Sequence, residues 1–165
     1  MLIIQSQLHV ADITGTEMMD FLLHCTDREY QAWWKGAHLE FHTIKRCPND
    51  VGNLVYMDEF VGKRRVRMMA IVTEVAPGQR IVWQMKKIIR LPVWFSLELK
   101  DDGAGVMLTH TIRAGFGGVG RILDPIFRLY FSNEFSRAMD EHAQIEFPKL
   151  RDLLHAQVQG APSSP

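Results

Sequence analysis

Near the C-terminus the segment RAMDEHAQIEF sets His142 and Glu146 four residues apart. On a helix, residues at that spacing lie one above the other on one face, so an imidazole and a carboxylate can converge on one ion, one water or one proton. Steps of three and four link Phe127, Phe131, Phe135, Ala138, His142 and Ile145 into an apolar stripe, whereas Arg128, Arg137 and Asp140 fall on another side. This pattern turns His142 toward a core and leaves Glu146 at the edge of the stripe. The competing arrangement is a solvated pair of Glu146 with Lys149, three residues on, worth a few tenths of a kcal/mol.

A matching pair lies about a hundred residues upstream. The runs HLEFHTIKR and NLVYMDEFV flank the turn sequence CPNDVG, and antiparallel pairing about a turn near Pro48 sets His38 across from Glu59. Strict alternation puts Glu40 and His42 on the same face as His38, with His42 roughly 13 Å further along the strand. Two histidines and two carboxylates form an ordinary donor set for one zinc or other divalent transition metal ion. Such an ion polarises an acyl carbonyl and brings the pKa of water toward about 7. A neighbouring group must then move protons, and His110 and Tyr56 are the candidates for that catalytic role. Without an ion, the same residues leave a carrier or sensor of hydrophobic molecules that performs no chemistry.

Elements that could position these residues follow from the rest of the chain. Residues 3–10 suit a strand; TGTEMMDFLLHC and DREYQAWW read as two short helices, with Thr14 or Thr16 and Asp27 as caps. Six strand-like runs then begin at His38, Asn53, Arg64, Arg80, Pro92 and Gly105, separated by CPNDVG, GK, APGQ, RL and DDGAG. Connections this short favour antiparallel neighbours. In VMLTHTIR, alternation turns Val106, Leu108, His110 and Ile112 inward. After GFGGVGR, read as a flexible lid or turn, one long helix is expected from Asp124 to about Leu154, with Pro125 in its first turn and Pro148 bending or interrupting it. The order predicts an α+β domain over residues 1–156 and a disordered tail over 157–165.

Nine Met, nine Phe and four Trp provide large apolar side chains for a core or a ligand cavity. Met68, Trp83, Phe95, Phe127, Phe131 and Phe135 are the expected lining, and the expected void is a few hundred Å³. Nineteen basic and nineteen acidic residues cancel, which argues against nucleic acid as a partner. The two cysteines, Cys25 and Cys47, form neither a disulfide framework nor a C-x-x-C pair. No apolar run reaches the roughly 18 residues a membrane span needs, so a cytoplasmic protein without membrane insertion is expected. The chain lacks G-x-S-x-G, and its Gly-rich GFGGVGR sits in no parallel βαβ unit, which removes the nucleophile-elbow and dinucleotide readings.

One strand, two short helices, an antiparallel meander and a C-terminal helix resemble the START-like or SRPBCC superfamily, also called birch-pollen-allergen-like, over residues 4–154. The stretch FVGKRRVRMMAIVTEVAPGQRIVWQ is similar to that superfamily's central hairpin. The resemblance implies a helix-grip fold, a curved sheet wrapped around the long helix, and a cavity for a hydrophobic small molecule such as an aromatic polyketide, lipid or quinone. It also implies polyketide cyclase/dehydratase-like activity as one enzymatic possibility. More narrowly, YQAWWKGAHLEF, the acid in MDEF and the H-x-x-x-E of His142 and Glu146 resemble the diacetylphloroglucinol hydrolase branch. Those enzymes hold zinc with two His and two Glu and hydrolyse a carbon–carbon bond joining an acetyl group to a phenolic ring. Carried over, this makes His38, Glu59, His142 and Glu146 the metal ligands. An additional N-terminal region of those enzymes has no counterpart here, so the identity of the substrate does not carry over.

Overall fold

Two T-x-x-E sequences start the first helices. Thr14 caps α1 (Gly15–His24): its Oγ1 accepts from the Glu17 amide at 3.2 Å, while the Glu17 carboxylate accepts from the Thr14 amide at 2.8 Å. Thr26 and Glu29 repeat this reciprocal cap at α2 (Asp27–Trp33). The cap is therefore Thr26 and not Asp27, which becomes the first helical residue. Its carboxylate instead accepts from the Phe41 amide at 2.7 Å and tethers the helix to the sheet.

The computed structural model describes residues 1–116 and 118–160, with the side chains of 119, 121, 123 and 158–160 left aside. Strand β1 (Leu2–Ala11) precedes the two helices; β2 (His38–Lys45), β3 (Leu54–Val61), β4 (Arg64–Ala76), β5 (Arg80–Lys86), β6 (Arg90–Asp101) and β7 (Gly105–Ala114) follow. A short 3-10 turn, Gly118–Leu123, leads to α3 (Asp124–Tyr130) and α4 (Asn133–Gly160). The strands form one curved antiparallel sheet in the order β1-β7-β6-β5-β4-β3-β2. The meander ends beside β1, and the His38 strand forms the far edge. This is the expected α+β helix-grip architecture.

Alternation puts Ile4, Leu8 and Val10 of β1 and Val106, Leu108 and Ile112 of β7 on the buried face. Met139, Ala143, Phe147 and Leu150 of α4 complete the core from the other side. Each fully buried Leu or Ile contributes about 1.5–3 kcal/mol, so this layer fixes α4 over the sheet.

Four expectations about these elements need correction. The C-terminal helix is not continuous: Ser132 interrupts it, its Oγ accepting from the Phe135 amide at 3.2 Å and its carbonyl from the Ser136 amide at 2.9 Å. A serine that caps a new helix ends the old one, which divides α3 from α4. Conversely, Pro148 does not stop α4, because buried Phe147 and Leu150 hold the backbone on both sides. Helix α4 also runs through 157–160, where a tail was expected; the rest of that tail, 161–165, lies outside the described residues. Finally, the β5–β6 turn is Lys87–Ile88–Ile89, with the Lys87 amide donating to the Ile89 carbonyl at 2.9 Å, and Arg90-Leu91 belong to β6.

Candidate metal centre

His38 opens β2 and pairs directly with Glu59 of β3. A register shift between His38 and Glu40 then overrides strict alternation, so that Phe41 turns inward and Glu40 and His42 turn out. His42 Nδ1 lies 2.9 Å from Asp27 Oδ1 on the outside of the molecule. Across the cavity, α4 carries His142 and Glu146 toward the same point. His38 Nε2 is 3.3 Å from Glu146 Oε1 and 3.8 Å from Glu59 Oε2; His142 Nε2 is 3.9 Å from Glu59 Oε2 and 3.7 Å from Glu146 Oε2. One donor atom from each of the four lies within 4.8 Å of the others. Donors held tetrahedrally at 2.0–2.2 Å from one ion are roughly 3.3–3.6 Å apart, close to these spacings.

The surroundings prepare these atoms as acceptors. His38 Nδ1 lies 3.2 Å from the Tyr30 carbonyl, which accepts from Nδ1–H and so leaves Nε2 with a free lone pair. The Nε2 atoms of His38 and His142 are buried, and neither has a hydrogen-bond partner. A buried ring nitrogen without a partner is costly, and two of them facing two carboxylates fit a shared cation. Helix α2 supplies the bracing. Tyr30 stacks on the His38 ring with centroids 4.0 Å apart and donates its Oη proton to Glu59 Oε2 at 2.5 Å; Trp33 Nε1 donates to the Glu146 carbonyl at 2.6 Å. Trp34 covers His142 with a centroid distance of 4.6 Å.

Electrostatics point the same way. Burial, reinforced by the facing Glu146 charge, raises the Glu59 carboxyl well above the usual carboxylate range. Burial likewise raises Glu146, with His142 opposing it. Burial pushes His38 down to about 4 and lowers His142 as well, so both rings stay neutral near pH 7. Two neutral imidazoles beside two carboxyls that ionise with difficulty form a site that a divalent ion would enter by displacing the carboxyl protons, the two carboxylates then balancing its charge.

Beside this cluster lies a cavity of about 110 Å³, smaller than the few hundred Å³ expected, because the large side chains fill much of the grip. Met68, Trp83, Phe95, Phe131 and Phe135 of the expected lining face it, and so does His110. Burial lowers the His110 imidazole to about 4, with the facing His142 adding to the shift. Phe127 does not line this cavity: the Ser132 break places it on α3, where it packs on Phe116 and lines an outer vestibule of about 420 Å³. Tyr56 is also displaced. It is an odd number of residues from Glu59, so it points to the opposite face of β3, and its ring meets His42 at 5.5 Å. Ile145 leaves the stripe and is 46% exposed. Lys149 sits over the Trp34 ring at 5.8 Å, whereas the Glu146 side chain is only 14% exposed and faces the histidines. Sequence reasoning assigned no role to Tyr30, although it opens YQAWWKGAHLEF, the stretch that carries the narrower resemblance.

No family model and no curated protein matches the chain. Solved structures do. A protein from Thermus thermophilus superposes with a TM-score of 0.62 at 10% identity, covering 94% of this chain and 99% of that one. The di-domain ARO/CYC StfQ of the steffimycin biosynthetic pathway gives 0.60 at 14% identity over 96% of this chain and 52% of its own length. A START superfamily protein from Mycobacterium smegmatis gives 0.51 at 9% identity over 86% and 97%. The chain has the START-like fold.

Proposed function

We infer that this START-like chain is a metal-dependent hydrolase, in which His38, Glu59, His142 and Glu146 hold one zinc or other divalent transition metal ion at the polar end of an apolar cavity. The observation that carries this reading is the pair of buried, partnerless Nε2 atoms facing two carboxylates. A structural histidine with Nε2 left as an acceptor would have found a hydrogen-bond donor for it. When bound, an ion of this class supplies Lewis-acid polarisation of a carbonyl and activation of water at neutral pH.

The chain's own residues provide the remainder. Tyr30 holds Glu59 by its short hydrogen bond and presses on the His38 ring, so two donors keep their orientation before any ion arrives. Trp83, Phe95, Phe131 and Phe135 exclude water and accept an aromatic ring. The enclosed space of about 110 Å³ is smaller than the roughly 150 Å³ that holds benzene, so a ring with a short acyl group would extend into the adjoining vestibule of about 420 Å³, which shares Met68, Met85, Tyr130 and Phe131 with the cavity. Hydrolysis of the bond joining such an acyl group to a phenolic ring delivers hydroxyl to the acyl carbon and a proton to the departing ring carbon. His110, neutral at pH 7 and facing the same cavity, is the group that accepts and returns that proton.

Metal analysis tests the reading directly. Protein purified and reconstituted with zinc is expected to retain one equivalent after dialysis, and His142→Ala and Glu59→Ala to retain less than a tenth of that. Hydrolysis of monoacetylated phenols is expected to follow metal content and to fall by roughly 10²-fold or more in His110→Ala with metal retained. Wild-type protein that holds no metal while a fluorescent apolar probe enters the cavity would replace the hydrolase with a second reading, a carrier of a hydrophobic small molecule. The apolar lining favours that reading on its own.

A further inference from the structure

Five of the large apolar side chains left in solvent lie at one end of the molecule. Ile88 and Ile89 form the tip of the β5–β6 hairpin and are 96% and 68% exposed; Ile122, Ile126 and Leu129 precede and form α3 and are 85%, 64% and 86% exposed. The two elements adjoin, since Lys86 and Lys87 of the hairpin and Ile126, Phe127 and Tyr130 of α3 wall the same vestibule. Side chains of this kind are normally withdrawn from water, and a cluster of them marks a surface that meets something apolar.

The charges that flank them in the sequence are cationic apart from Asp124. Lys86, Lys87 and Arg90 bracket the two isoleucines in the sequence KKIIR, and Arg128 stands exposed on α3. None of these four cations is in a salt bridge among the described residues. Residues 84–95 contain no acid, and over 117–131 the only acid is Asp124, which pairs with the Met1 amino group and accepts from the Phe116 amide. Apolar tips inside a ring of unpaired cations match a layer whose outer surface is anionic and whose interior is hydrocarbon. A second copy of the chain would bring the same cations against each other. No described helix is long and apolar enough to cross a membrane, so the contact is a docking and not a span.

We propose that the β5–β6 hairpin tip and α3 dock this protein on an anionic lipid surface, with Ile88, Ile89, Ile126 and Leu129 entering the headgroup region and Lys86, Lys87, Arg90 and Arg128 contacting lipid phosphates. Docking in this orientation turns the vestibule toward the lipid. Its inner wall is shared with the cavity through Met68, Met85, Tyr130 and Phe131, so an apolar molecule can pass from the bilayer toward the cavity without crossing open water. This surface includes none of the four candidate metal ligands and stands apart from the hydrolase reading.

Vesicle co-sedimentation provides the test. Full-length protein is expected to bind vesicles of phosphatidylglycerol and phosphatidylcholine in equal parts at least tenfold more tightly than vesicles of phosphatidylcholine alone, and to be released by 0.5 M salt. Ile88→Ser with Ile89→Ser is expected to weaken binding about tenfold, and Lys86→Gln with Lys87→Gln by a similar factor. All four positions are on the surface, and unchanged circular dichroism confirms that the variants fold. Failure to bind the anionic vesicles overturns the proposal, as does binding that neither pair of substitutions weakens. Light scattering that shows a dimer, dissociated by the isoleucine substitutions, also overturns it by assigning the patch to a second copy.

Discussion

Tyr30 is the residue on which the geometry of the candidate centre leans most. Its hydroxyl is buried with a single acceptor, Glu59, so Tyr30→Phe leaves that carboxyl without a donor and is expected to destabilise the protein by about 1–3 kcal/mol. Urea denaturation of the metal-free protein measures this. The carboxyls also set the response to pH. Because burial raises Glu59 and Glu146 above 4.5, the stability they contribute as neutral groups is full below that value and is lost as pH rises through their elevated folded-state values. An incoming cation must displace those protons, so zinc affinity is expected to rise between pH 6 and pH 8, whereas His38, neutral above about 4, adds no slope there. Competition with a chromophoric chelator at the two pH values reads the change; equal affinities would contradict the protonated-carboxyl account. At this scale the sequence was informative where periodicity acts alone: the closing turn sets His38 against Glu59, and helical spacing sets His142 over Glu146. It was silent on Tyr30, whose partner is 29 positions away, and misleading on Tyr56, whose odd separation from Glu59 already put it on the outer face.

Among the elements, the break between α3 and α4 decides which aromatic side chains reach the cavity. Ser132 caps α4, and Ser132→Ala is expected to cost about 0.5–2 kcal/mol, measured by thermal or urea unfolding. Apolar residues continue in helical steps across this point, so the hydrophobic pattern reads through a joint that is made by one hydroxyl. The bulge after His38 is hidden for the same kind of reason: a one-residue register shift leaves no compositional trace, yet it sends His42 out to Asp27 and keeps His38 in. Strand order and the first cap, Thr14, were more legible because short turns and a T-x-x-E sequence act locally, whereas the second cap is Thr26 and not the expected Asp27. Pro148 is the reverse case, a strong local signal overruled by the burial of Phe147 and Leu150.

For the whole molecule, the four candidate donors tie the far edge of the sheet to the C-terminal helix across the core. A ligand that binds only the folded state at a hundred times its dissociation constant adds about 2.7 kcal/mol. For a domain of this size that is roughly 5–11 °C in the midpoint of thermal unfolding. Calorimetry with saturating zinc is expected to show this increase in the wild type and none in Glu59→Ala. The fold was legible as a whole because element order and short connections leave few alternatives for an antiparallel meander and a closing helix. The volume inside the grip was not, since it depends on how Trp83, Phe95, Phe131 and Phe135 interlock. The placement of the donors also has a consequence in time. His38 and Glu59 leave the ribosome roughly eighty residues before His142 and Glu146, an interval of about 4–17 s at 5–20 residues per second. During that interval the nascent chain would carry only half of the proposed donor set, too few donors to compete with cellular buffers for a scarce ion. Capture of the ion would therefore coincide with docking of α4, so a chain cut short before Glu146 would be recognisable to the cell by its inability to load.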